Sequence, residues 1–394
     1  MFITTHYPSC RYPNYGTFVE QLVTAIARRG HECSVIHPAT WHRYVIEKVA
    51  ELRGAPGPNR GEARVIRPRF FSMGVRIGPL RTARPTRWGF HRAVHRATKR
   101  LHSPPDLIYA HFLWPAGVCA VRLGSRLGIP AFVAVGESVH ACGGPMWSTA
   151  VTGVDAAAHL LKSVAGVIAV SSLLKRKLVD EVNVDAEKIR VFPNGVDRTR
   201  FCPRDRHEMR RRHNLPSDRF LVAFAGHFTH RKGVLRVAEA VRGLPGVGAV
   251  LLGSGPLEPS AREILFKGPV PHQVVPELLS AADLFVLPTL AEGSCNSLIE
   301  AMACGLPVVS SRGEFNDDLL NDQVALRIDP NDVEAIRHAI VTLKENPEQR
   351  QRMAASAIEH SRKFDIEQRV DRILAWTAER TRRFHEMRRR AADA

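Results

Sequence analysis

The chain has 394 residues, and 56 Lys and Arg against 39 Asp and Glu give it a formal net charge of +17. With 44% apolar and 24% charged residues, its composition is that of an ordinary globular protein and excludes a mainly disordered or collagen-like chain. At about 150 residues per domain, this length predicts two domains. No uninterrupted apolar run reaches the roughly 18 residues of a membrane span, so a membrane-spanning protein is excluded.

The N-terminus and the cysteines indicate the compartment. Residues 1–8 lack the basic region of a secretory signal. The seven cysteines form an odd set without CxxC spacing, which favours reduced thiols over a disulfide framework or a zinc site. His91 and His95 have helical spacing, but the acidic residue of an HExxH zinc motif is missing. We therefore expect a cytoplasmic protein without a metal site.

Short β-branched segments alternate with helical segments along the whole chain. The predicted strands are residues 2–5, 32–37, 64–70, 106–112, 131–136, 166–170, 188–192, 220–225, 248–252, 264–267, 283–287, 307–310 and 325–328. This alternation predicts parallel sheets with right-handed crossovers. The fold class is therefore α/β, with two Rossmann-like domains that face each other across a cleft.

The domain boundaries follow from breaks in this pattern. Pro193, Gly195 and Pro203 interrupt it and precede a polar stretch. We expect an N-terminal Rossmann-like domain over residues 1–196 and a C-terminal Rossmann-like domain over residues 197–365. Residues 366–394 are expected to form a C-terminal helix that crosses back to the first domain.

In open parallel sheets, ligands bind at the carboxyl ends of the strands, so the residues after each strand are candidates for the site. In the first domain, Gly16 precedes a predicted helix over residues 17–28 and would let a phosphate or sugar approach the helix N-terminus. A plain turn glycine explains it equally well. His111 lies near the end of the strand 106–112 and is expected to face the cleft, with a core histidine as the alternative.

Two cations follow the first strand of the second domain. They lie in the segment GHFTHRKG, residues 226–233. Arg231 and Lys232 would neutralise a diphosphate at this position, whereas as solvated loop charges they would bind nothing. The segment is not a Walker loop, because GxxxxGK followed by Ser or Thr is missing.

The segment EGSCNSLIE, residues 292–300, follows the strand that ends near residue 287. Because Ser294 and Asn296 are good N-cap types, a helix is predicted to begin here and to direct its unpaired N–H groups into the cleft. Glu292 could then reach a sugar hydroxyl and Glu300, about one turn inside the helix, a ribose diol. The alternative makes both glutamates solvent-facing. The candidate ligand-binding residues of this segment are Ser294, Cys295, Asn296, Ser297 and Glu300.

At these residues the chain resembles the retaining glycosyltransferases of family 4, which have the GT-B fold. The spacing Glu292-x7-Glu300 followed by AMACGLPVVS carries the resemblance. Further matching signatures are Gly30-His31, NGVD at 194–197, Lys232-Gly233 and GSGP at 253–256. The segments YGTFVEQ at 15–21 and HFLWPAG at 111–117 are similar to the branch that builds cell-surface polysaccharides.

The resemblance implies transfer of a sugar from a nucleotide-diphosphate sugar, a UDP- or GDP-sugar, without a cofactor. It implies that residues 1–196 form the acceptor-side domain and residues 197–365 the nucleotide-sugar-binding domain. It implies that Lys232 binds the donor diphosphate, that Glu300 holds the ribose and that Glu292 contacts the donor sugar. It also implies that His111 approaches a sugar hydroxyl and that Gly16 makes room for donor or acceptor. Retention is implied to proceed without a side-chain nucleophile, with a phosphate oxygen taking the acceptor proton. His111, Glu292 and Lys232 are thus the candidate catalytic residues.

Two positions depart from the family pattern. The arginine that commonly follows the glycine after the second domain's first strand is His227 here. Either Arg231 supplies the second positive charge, or the site relies on Lys232 alone. Where many members have HGSD, this chain has VGES at 135–138. A DxD motif is missing, which agrees with metal-independent chemistry.

Residues 53–100, which begin with Arg53 and end with Arg100, contain thirteen Lys or Arg and one acid, Glu62. Within this basic segment and just after it, an apolar stripe has helical spacing and consists of Phe90, Val94, Ala97 and Leu101. Such a helix would either sit on an anionic membrane and guide a lipid-linked acceptor, or pack its stripe into the core with a solvated basic face. Because no nucleic-acid-binding motif accompanies the charge, nucleic acid is not a predicted partner.

The sequence therefore predicts a retaining, metal-independent glycosyltransferase of the EC 2.4 kind that acts on a lipid-linked or polysaccharide precursor. The predicted location is the cytoplasm, with a peripheral position at the inner face of the cell membrane. The alternatives are a nucleotide-sugar epimerase on the same fold and a non-catalytic nucleotide-sugar binding protein.

Overall fold

A computed structural model describes residues 1–52, 63–72, 74, 76–77, 80–137, 139–140 and 147–393. Part of the basic segment, including Arg53 and Glu62, lies outside these ranges, as do Ser138 of the VGES segment and Cys142. In the described ranges, no helix combines the length and the apolar character that crossing a membrane requires.

Strands and helices alternate through most of the chain, as the sequence predicts. The strands are β1 Phe2–Ile3, β2 Ser34–Ile36, β3 Ala39–Thr40, β4 Arg64–Ile66, β5 Arg69–Phe70, β6 Arg76–Ile77, β7 Leu80–Arg81, β8 Ile108–His111, β9 Ala131–Val135, β10 Val139–His140, β11 Gly166–Ala169, β12 Ile189–Val191, β13 Phe220–Ala225, β14 Val247–Leu252, β15 Ile264–Gly268, β16 Leu284–Leu287, β17 Ala291–Glu292, β18 Val308–Ser311 and β19 Ala325–Ile328. The helices are α1 Thr17–Ala27, α2 Trp41–Leu52, α3 Ala83–Thr98, α4 Val118–Leu127, α5 Trp147–Thr152, α6 Val154–Lys162, α7 Ser172–Asp180, α8 Arg206–Arg212, α9 Val234–Val241, α10 Val275–Ser280, α11 Asn296–Ala303, α12 Val333–Glu345, α13 Pro347–Ser361 and α14 Ile366–Ala392.

The chain divides into two compact units. Unit 1 consists of Met1–Glu137, Gly144–Phe192 and Arg369–Ala394, and unit 2 of Ser138–Gly143 and Pro193–Gln368. The division thus follows Phe192, whereas the sequence placed it after residue 196. The residues between these points bond within unit 2, since Val196 donates its N–H to Phe364 and accepts from Ile366.

Unit 1 contains a seven-stranded parallel sheet in the order β12-β11-β9-β8-β1-β2-β4. Its strand order reverses between β1 and β8, so the carboxyl ends of these two strands form a topological switch point. Helix α14 packs on this unit through Trp376, whose ring contacts those of Phe132 and Phe192 at centroid distances of 5.8 and 5.9 Å.

Residues 64–70 were predicted as one strand and form two. Strand β4 extends the main sheet beside β2, while β5 pairs separately with β3. Pro68 lies between them, and its missing N–H cannot continue the ladder. Its carbonyl instead accepts from Ala39 of β3.

The stripe of the basic segment belongs to the core of unit 1. Phe90, Val94 and Ala97 of α3 are buried in one cluster with Ile3 and Ile108. Leu101, partly buried, packs against the same cluster. The membrane-facing interpretation of this stripe is therefore wrong, because the sheet already covers it.

Unit 2 contains a six-stranded parallel sheet in the order β15-β14-β13-β16-β18-β19. The chain builds outward from β13 in one direction and from β16 in the other, so its switch point lies at the carboxyl ends of these two strands. A short antiparallel pair, β10 with β17, lies beside it in the same unit. Both main sheets are parallel and alternate with helices, which confirms the predicted α/β class.

Candidate functional site

Glycines set the backbone at the carboxyl edge of unit 2. Gly233 caps α9 at φ 81°, and a Cβ there would lie 2.5 Å from the carbonyl oxygen of Pro288. A Cβ on Gly253 would lie 1.9 Å from the carbonyl oxygen of Gly226. Only glycine fits either position, so the loops that follow β13, β14 and β16 approach at backbone contact.

A buried ion cluster occupies this edge. Lys232, which follows β13, donates from Nζ to Oε1 of Glu292 at 2.5 Å. The same oxygen accepts from Arg231 Nη1 at 3.2 Å and from the hydroxyl of Thr289 at 2.8 Å. The Lys232 ammonium also lies 3.8 Å from the sulfur of Cys295. Two segments that are distant along the sequence, residues 231–232 and residues 289–295, therefore meet around one carboxylate.

The cluster keeps its groups charged. Burial by itself would raise the pKa of Glu292, but the cations of Lys232 and Arg231 outweigh it and hold that pKa below its ordinary value. Burial likewise acts to lower the pKa of Lys232, yet Cys295 and the Glu292 carboxylate together raise it. Glu292 is therefore a carboxylate that fixes two cations, and it has no proton to give as an acid near neutral pH.

Helix α11 starts beside this cluster. It begins at Asn296 with Cys295 at the N-cap position, and the Cys295 side chain makes no capping hydrogen bond. The predicted cap Ser294 is wrong, because its hydroxyl accepts from the N–H of Asn194 at 3.0 Å instead. Asn194 also donates from Nδ2 to the Ser294 carbonyl at 3.1 Å and so fixes the loop. Asn194 thus fixes the backbone just before the start of α11.

The predicted cap Asn296 is wrong as well, because it is the first helical residue. Its Oδ1 atom is buried and has no hydrogen-bond partner among the described residues. The Cys295 sulfur lies 3.4 Å from the hydroxyl of Ser297 in the first turn. The predicted segment from 294 to 297 thus forms the loop and first turn at the cluster.

Glu300 lies one turn inside α11 and has a partner that the sequence did not reveal. Its Oε1 lies 3.1 Å from Nε2 of His272, whose Nδ1 lies 3.3 Å from Nη1 of Arg200. Because a guanidinium only donates, Nδ1 of His272 accepts and Nε2 carries the proton that is given to Glu300. His272 thus fixes the orientation of the Glu300 carboxylate.

His227, which replaces the arginine common in the family, is exposed. Arg231 instead supplies the second cation beside Lys232, on the same carboxylate. Its Nη1 also donates to the carbonyl of Ala291. Arg231 thus lies beside Lys232, which agrees with the first of the two alternatives for the second cation.

The remaining predicted site residues lie in unit 1 at its own switch point. Gly16 caps α1 at φ 79°, and a Cβ there would lie 2.5 Å from the carbonyl carbon of His6. His111 ends β8, is buried, and lies among the rings of Phe18, Tyr109 and Phe112. Burial lowers the pKa of His111 to about 3, with a smaller contribution from Arg369.

His111 is therefore a neutral imidazole near neutral pH. Its Nδ1 is buried without a hydrogen-bond partner in the described part of the chain. The next residue, Phe112, has φ 67°, which is a strained conformation for a bulky side chain. An unsatisfied nitrogen beside a strained backbone is typical of a ligand site rather than of a satisfied core histidine.

The described residues contain no group of three or more His, Cys, Asp or Glu side chains that could hold a metal ion. The structure thus brings together Arg231, Lys232, Glu292 and Cys295, with Ser294, Asn296 and Ser297 in the adjoining loop and turn. It pairs Glu300 with His272, and it places Gly16 and His111 in unit 1.

Comparisons with known proteins show which families the chain is similar to. The family model described as Glycosyltransferase Family 4 matches residues 15–200, and that described as Glycosyl transferases group 1 matches residues 205–360. The chain is 30% identical over 356 residues to TuaC of Bacillus subtilis, named for teichuronic acid biosynthesis, covering 86% of this chain and 87% of that protein.

Solved structures are similar over almost the whole chain. Sucrose-phosphate synthase from Thermosynechococcus elongatus superposes with a TM-score of 0.76 at 19% identity, covering 96% of this chain and 98% of that one. HepE from Anabaena in complex with UDP gives a TM-score of 0.72 at 17% identity, covering 96% and 99%. At these identities the likeness establishes a shared fold.

Proposed function

Because the chain belongs to glycosyltransferase family 4 and has the GT-B fold, we propose that it transfers a sugar from a nucleotide-diphosphate sugar to an acceptor hydroxyl with retention of configuration. The family resemblance carried by Glu292 and Glu300 is confirmed, and the chain is a glycosyltransferase of the EC 2.4 kind.

The buried Lys232 ammonium carries this proposal. It stays charged in a dehydrated position at the sheet switch point, where Glu292 holds it. A diphosphate leaving group accumulates negative charge as the anomeric bond breaks, and a fixed cation stabilises that charge without reorganising. One such donor is typically worth about 3 kcal/mol of the barrier.

The same edge offers further donors to the diphosphate. Arg231 shares the Glu292 carboxylate, and α11 starts beside it at Asn296, so the positive end of the helix dipole lies at the same edge. Together they supply positive potential of the kind that a divalent metal provides elsewhere. This supports metal-independent transfer of the sugar.

In the proposed reaction the bond between the anomeric carbon and the β-phosphate oxygen breaks. The acceptor hydroxyl oxygen forms the new bond on the same face, and its proton passes to the departing phosphate oxygen. No side chain acts as nucleophile. Glu300, oriented by His272, holds the ribose of the donor, and Glu292 contacts the donor sugar while it positions the cations. His111 contributes a neutral imidazole to a sugar hydroxyl, and Gly16 leaves room for the substrates.

The proposed acceptor is a saccharide or lipid-linked precursor of a cell-surface polymer, handled at the inner face of the membrane. The relationship to TuaC supports this class, since that relative is named for teichuronic acid biosynthesis. The basic segment supports a negatively charged membrane surface as the place of reaction.

Two successive experiments test the identity of the donor and the type of reaction. UDP-, GDP- and ADP-sugars are first screened for thermal stabilisation, because a ligand at 100 times its Kd adds about 2.7 kcal/mol. The stabilising donor is then incubated with and without acceptor, and the products are analysed. A new glycosidic bond supports the proposal. Conversion of the donor sugar alone would indicate an epimerase, and binding without turnover a non-catalytic protein.

A further inference from the structure

Helix α2 of unit 1 turns its apolar side chains outward. Trp41, Val45 and Val49 repeat every four residues along one face, with Ile46 beside them, and each is 41–53% exposed. Four large apolar side chains on one helix face form a contiguous patch rather than scattered surface residues. We refer to these four residues as the α2 face.

An ion pair attaches the opposite side of α2 to the rest of unit 1. Glu47 is buried, and its Oε2 accepts from Nη1 of Arg67 at 3.4 Å. Arg67 also donates to the carbonyl of Pro8. The helix therefore places a carboxylate toward the body of unit 1 and hydrocarbon toward the outside, the reverse of an ordinary surface helix.

Cations and aromatic rings border the α2 face. The guanidinium of Arg69, in β5, lies 4.8 Å from the ring centroid of Trp41 and 4.6 Å from that of Tyr44. The Nζ atom of Lys48 lies 6.0 Å from the ring centroid of Tyr44. Strand β5 thus connects the apolar patch directly to the basic segment.

The neighbouring helix α3 also carries an exposed aromatic ring beside a cation. The ring of Phe70 in β5 packs on buried Phe90 of α3 at 5.5 Å, so the two elements are in contact. Trp88 on α3 is exposed, and Arg92 lies 5.4 Å from its ring centroid. Phe71, directly after β5, is exposed as well. Exposed aromatics beside arginines are typical of a membrane–water interface.

We propose that the α2 face inserts into the surface of an anionic lipid bilayer, with the cations of β5 and α3 on the lipid phosphates. This proposal rests on the membrane location proposed above and names the surface that makes the contact. The apolar contact comes from α2 and not from the stripe of α3, which is buried in the core. A second copy of the chain is a poorer occupant, because two molecules of net charge +17 repel each other. A nucleic acid would use the charge but leave the hydrocarbon in water.

The first experiment measures co-sedimentation of the full chain with phosphatidylglycerol-containing vesicles and with phosphatidylcholine vesicles. We expect binding to the former only, weakening as salt rises. Val45→Gln together with Val49→Gln should lower the partition coefficient by about tenfold or more. The matched control is Leu127→Gln with Val154→Gln, which changes two side chains of the same unit that are 44% and 45% exposed.

The control pair should bind vesicles like the wild type. All four positions are exposed, so both double variants should keep the wild-type melting temperature, and this is measured in parallel. Equal binding of the Val45/Val49 variant and the wild type would overturn the proposal. Three results for the wild type would also overturn it: no binding to vesicles with phosphatidylglycerol, self-association through the α2 face, or equally strong binding to polyanionic nucleic acid.

A second measurement locates the contact. Vesicles with brominated acyl chains should quench the tryptophan fluorescence of the wild type, and Trp41→Phe should remove part of this quenching while vesicle binding persists. Quenching unchanged by Trp41→Phe would place the contact elsewhere. Neither assay contains a sugar donor, so its failure is distinguishable from a failure of the proposed transferase activity, which the donor screen and product analysis report.

Discussion

The two units place buried titratable groups at equivalent edges of their sheets and treat them in opposite ways. In unit 2, Lys232 is largely buried, Glu292 is buried, and each keeps the other ionised. In unit 1, His37 follows β2 and His111 ends β8, the two strands on either side of β1, and both are buried. Burial lowers the pKa of each to about 3. Their Nδ1 atoms have no hydrogen-bond partner in the described ranges.

The difference shows that burial alone does not decide the charge of a group. A counter-charge within hydrogen-bonding distance reverses the effect of desolvation, as at Glu292. Where the neighbours are Arg67 or Arg369, they add to desolvation and keep the imidazole neutral. This contrast agrees with the proposed roles, in which a diphosphate binds at the edge of unit 2 and neutral hydroxyl groups at that of unit 1.

The largest expected effect comes from removing the cation of unit 2. Lys232→Ala should lower kcat by about 10²- to 10³-fold, because a fixed donor to the leaving group is lost. Steady-state kinetics with the identified donor and acceptor provide the measurement. Lys267→Ala is the control, since Lys267 forms an exposed pair with Glu258 at 2.8 Å and should change kcat little. Unimpaired turnover of Lys232→Ala would end the diphosphate assignment.

The second test concerns the neutral histidines of unit 1. Unfolded His titrates near pH 6.5, whereas folded His37 and His111 titrate near 3, so below about pH 6.5 the unfolded state binds more protons. The free energy of unfolding should therefore fall as pH falls, by about 1.4 kcal/mol per pH unit for each histidine. Urea unfolding between pH 7 and 5 measures this slope.

The pair in unit 2 should not contribute to that slope. Glu292 has a lowered pKa in the folded state, so its stabilisation is present above about pH 4.3 and is lost only at more acidic pH. Replacing His37 or His111 with Leu should reduce the slope of the unfolding free energy against pH by the contribution of one histidine. This should hold even if the variant is less stable at every pH. Identical slopes for wild type and both variants would contradict the neutral state of these imidazoles.

The third expected effect is a loss of donor affinity in Glu300→Ala. A hydrogen bond from a hydroxyl to a carboxylate is worth about 1.5–3 kcal/mol, which corresponds to a Kd at least tenfold higher. Titration calorimetry with the nucleotide-sugar measures it. The control is Glu334→Ala on α12, which removes a glutamate paired with Arg337 on the surface at 3.3 Å. Wild-type affinity in Glu300→Ala would discard the ribose role.

The smallest effect is expected for the positioning residue His272. His272→Ala should raise the donor KM a few-fold with kcat nearly unchanged, because Glu300 remains present but is no longer held. His272→Gln keeps an N–H donor and should recover part of the loss. A fall in kcat without a change in KM, or an absence of recovery in the Gln variant, would argue against positioning through Glu300.

Much of the fold could be predicted because most strands have a recognisable local pattern of apolar residues. Each predicted strand overlaps an observed one, and the apolar run at 220–225 matches β13 residue for residue. Errors arose where one residue overrides the pattern, as Pro68 does between β4 and β5. Short pairs such as β10 with β17 depend on partners far along the chain, which local composition does not encode.

The site was predictable where the chemistry is carried by spacing, as for Glu292 and Glu300. His272 was missed because its contact with Glu300 spans 28 residues of sequence, although its place just after β15 is a signal that could have found it. The basic segment shows the remaining limit. Sequence periodicity identified an apolar stripe on α3, but it could not tell that this stripe is covered while the α2 face is not.

The fixed tautomer of His272 makes this residue a natural spectroscopic probe. Its Nδ1 is the acceptor from Arg200 and its Nε2 bears hydrogen toward Glu300. The two nitrogens therefore resemble pyridine and pyrrole nitrogens, which resonate far apart in ¹⁵N spectra. Isotopic labelling of histidine would report any ribose that competes for the Glu300 carboxylate, even with a donor that is never turned over.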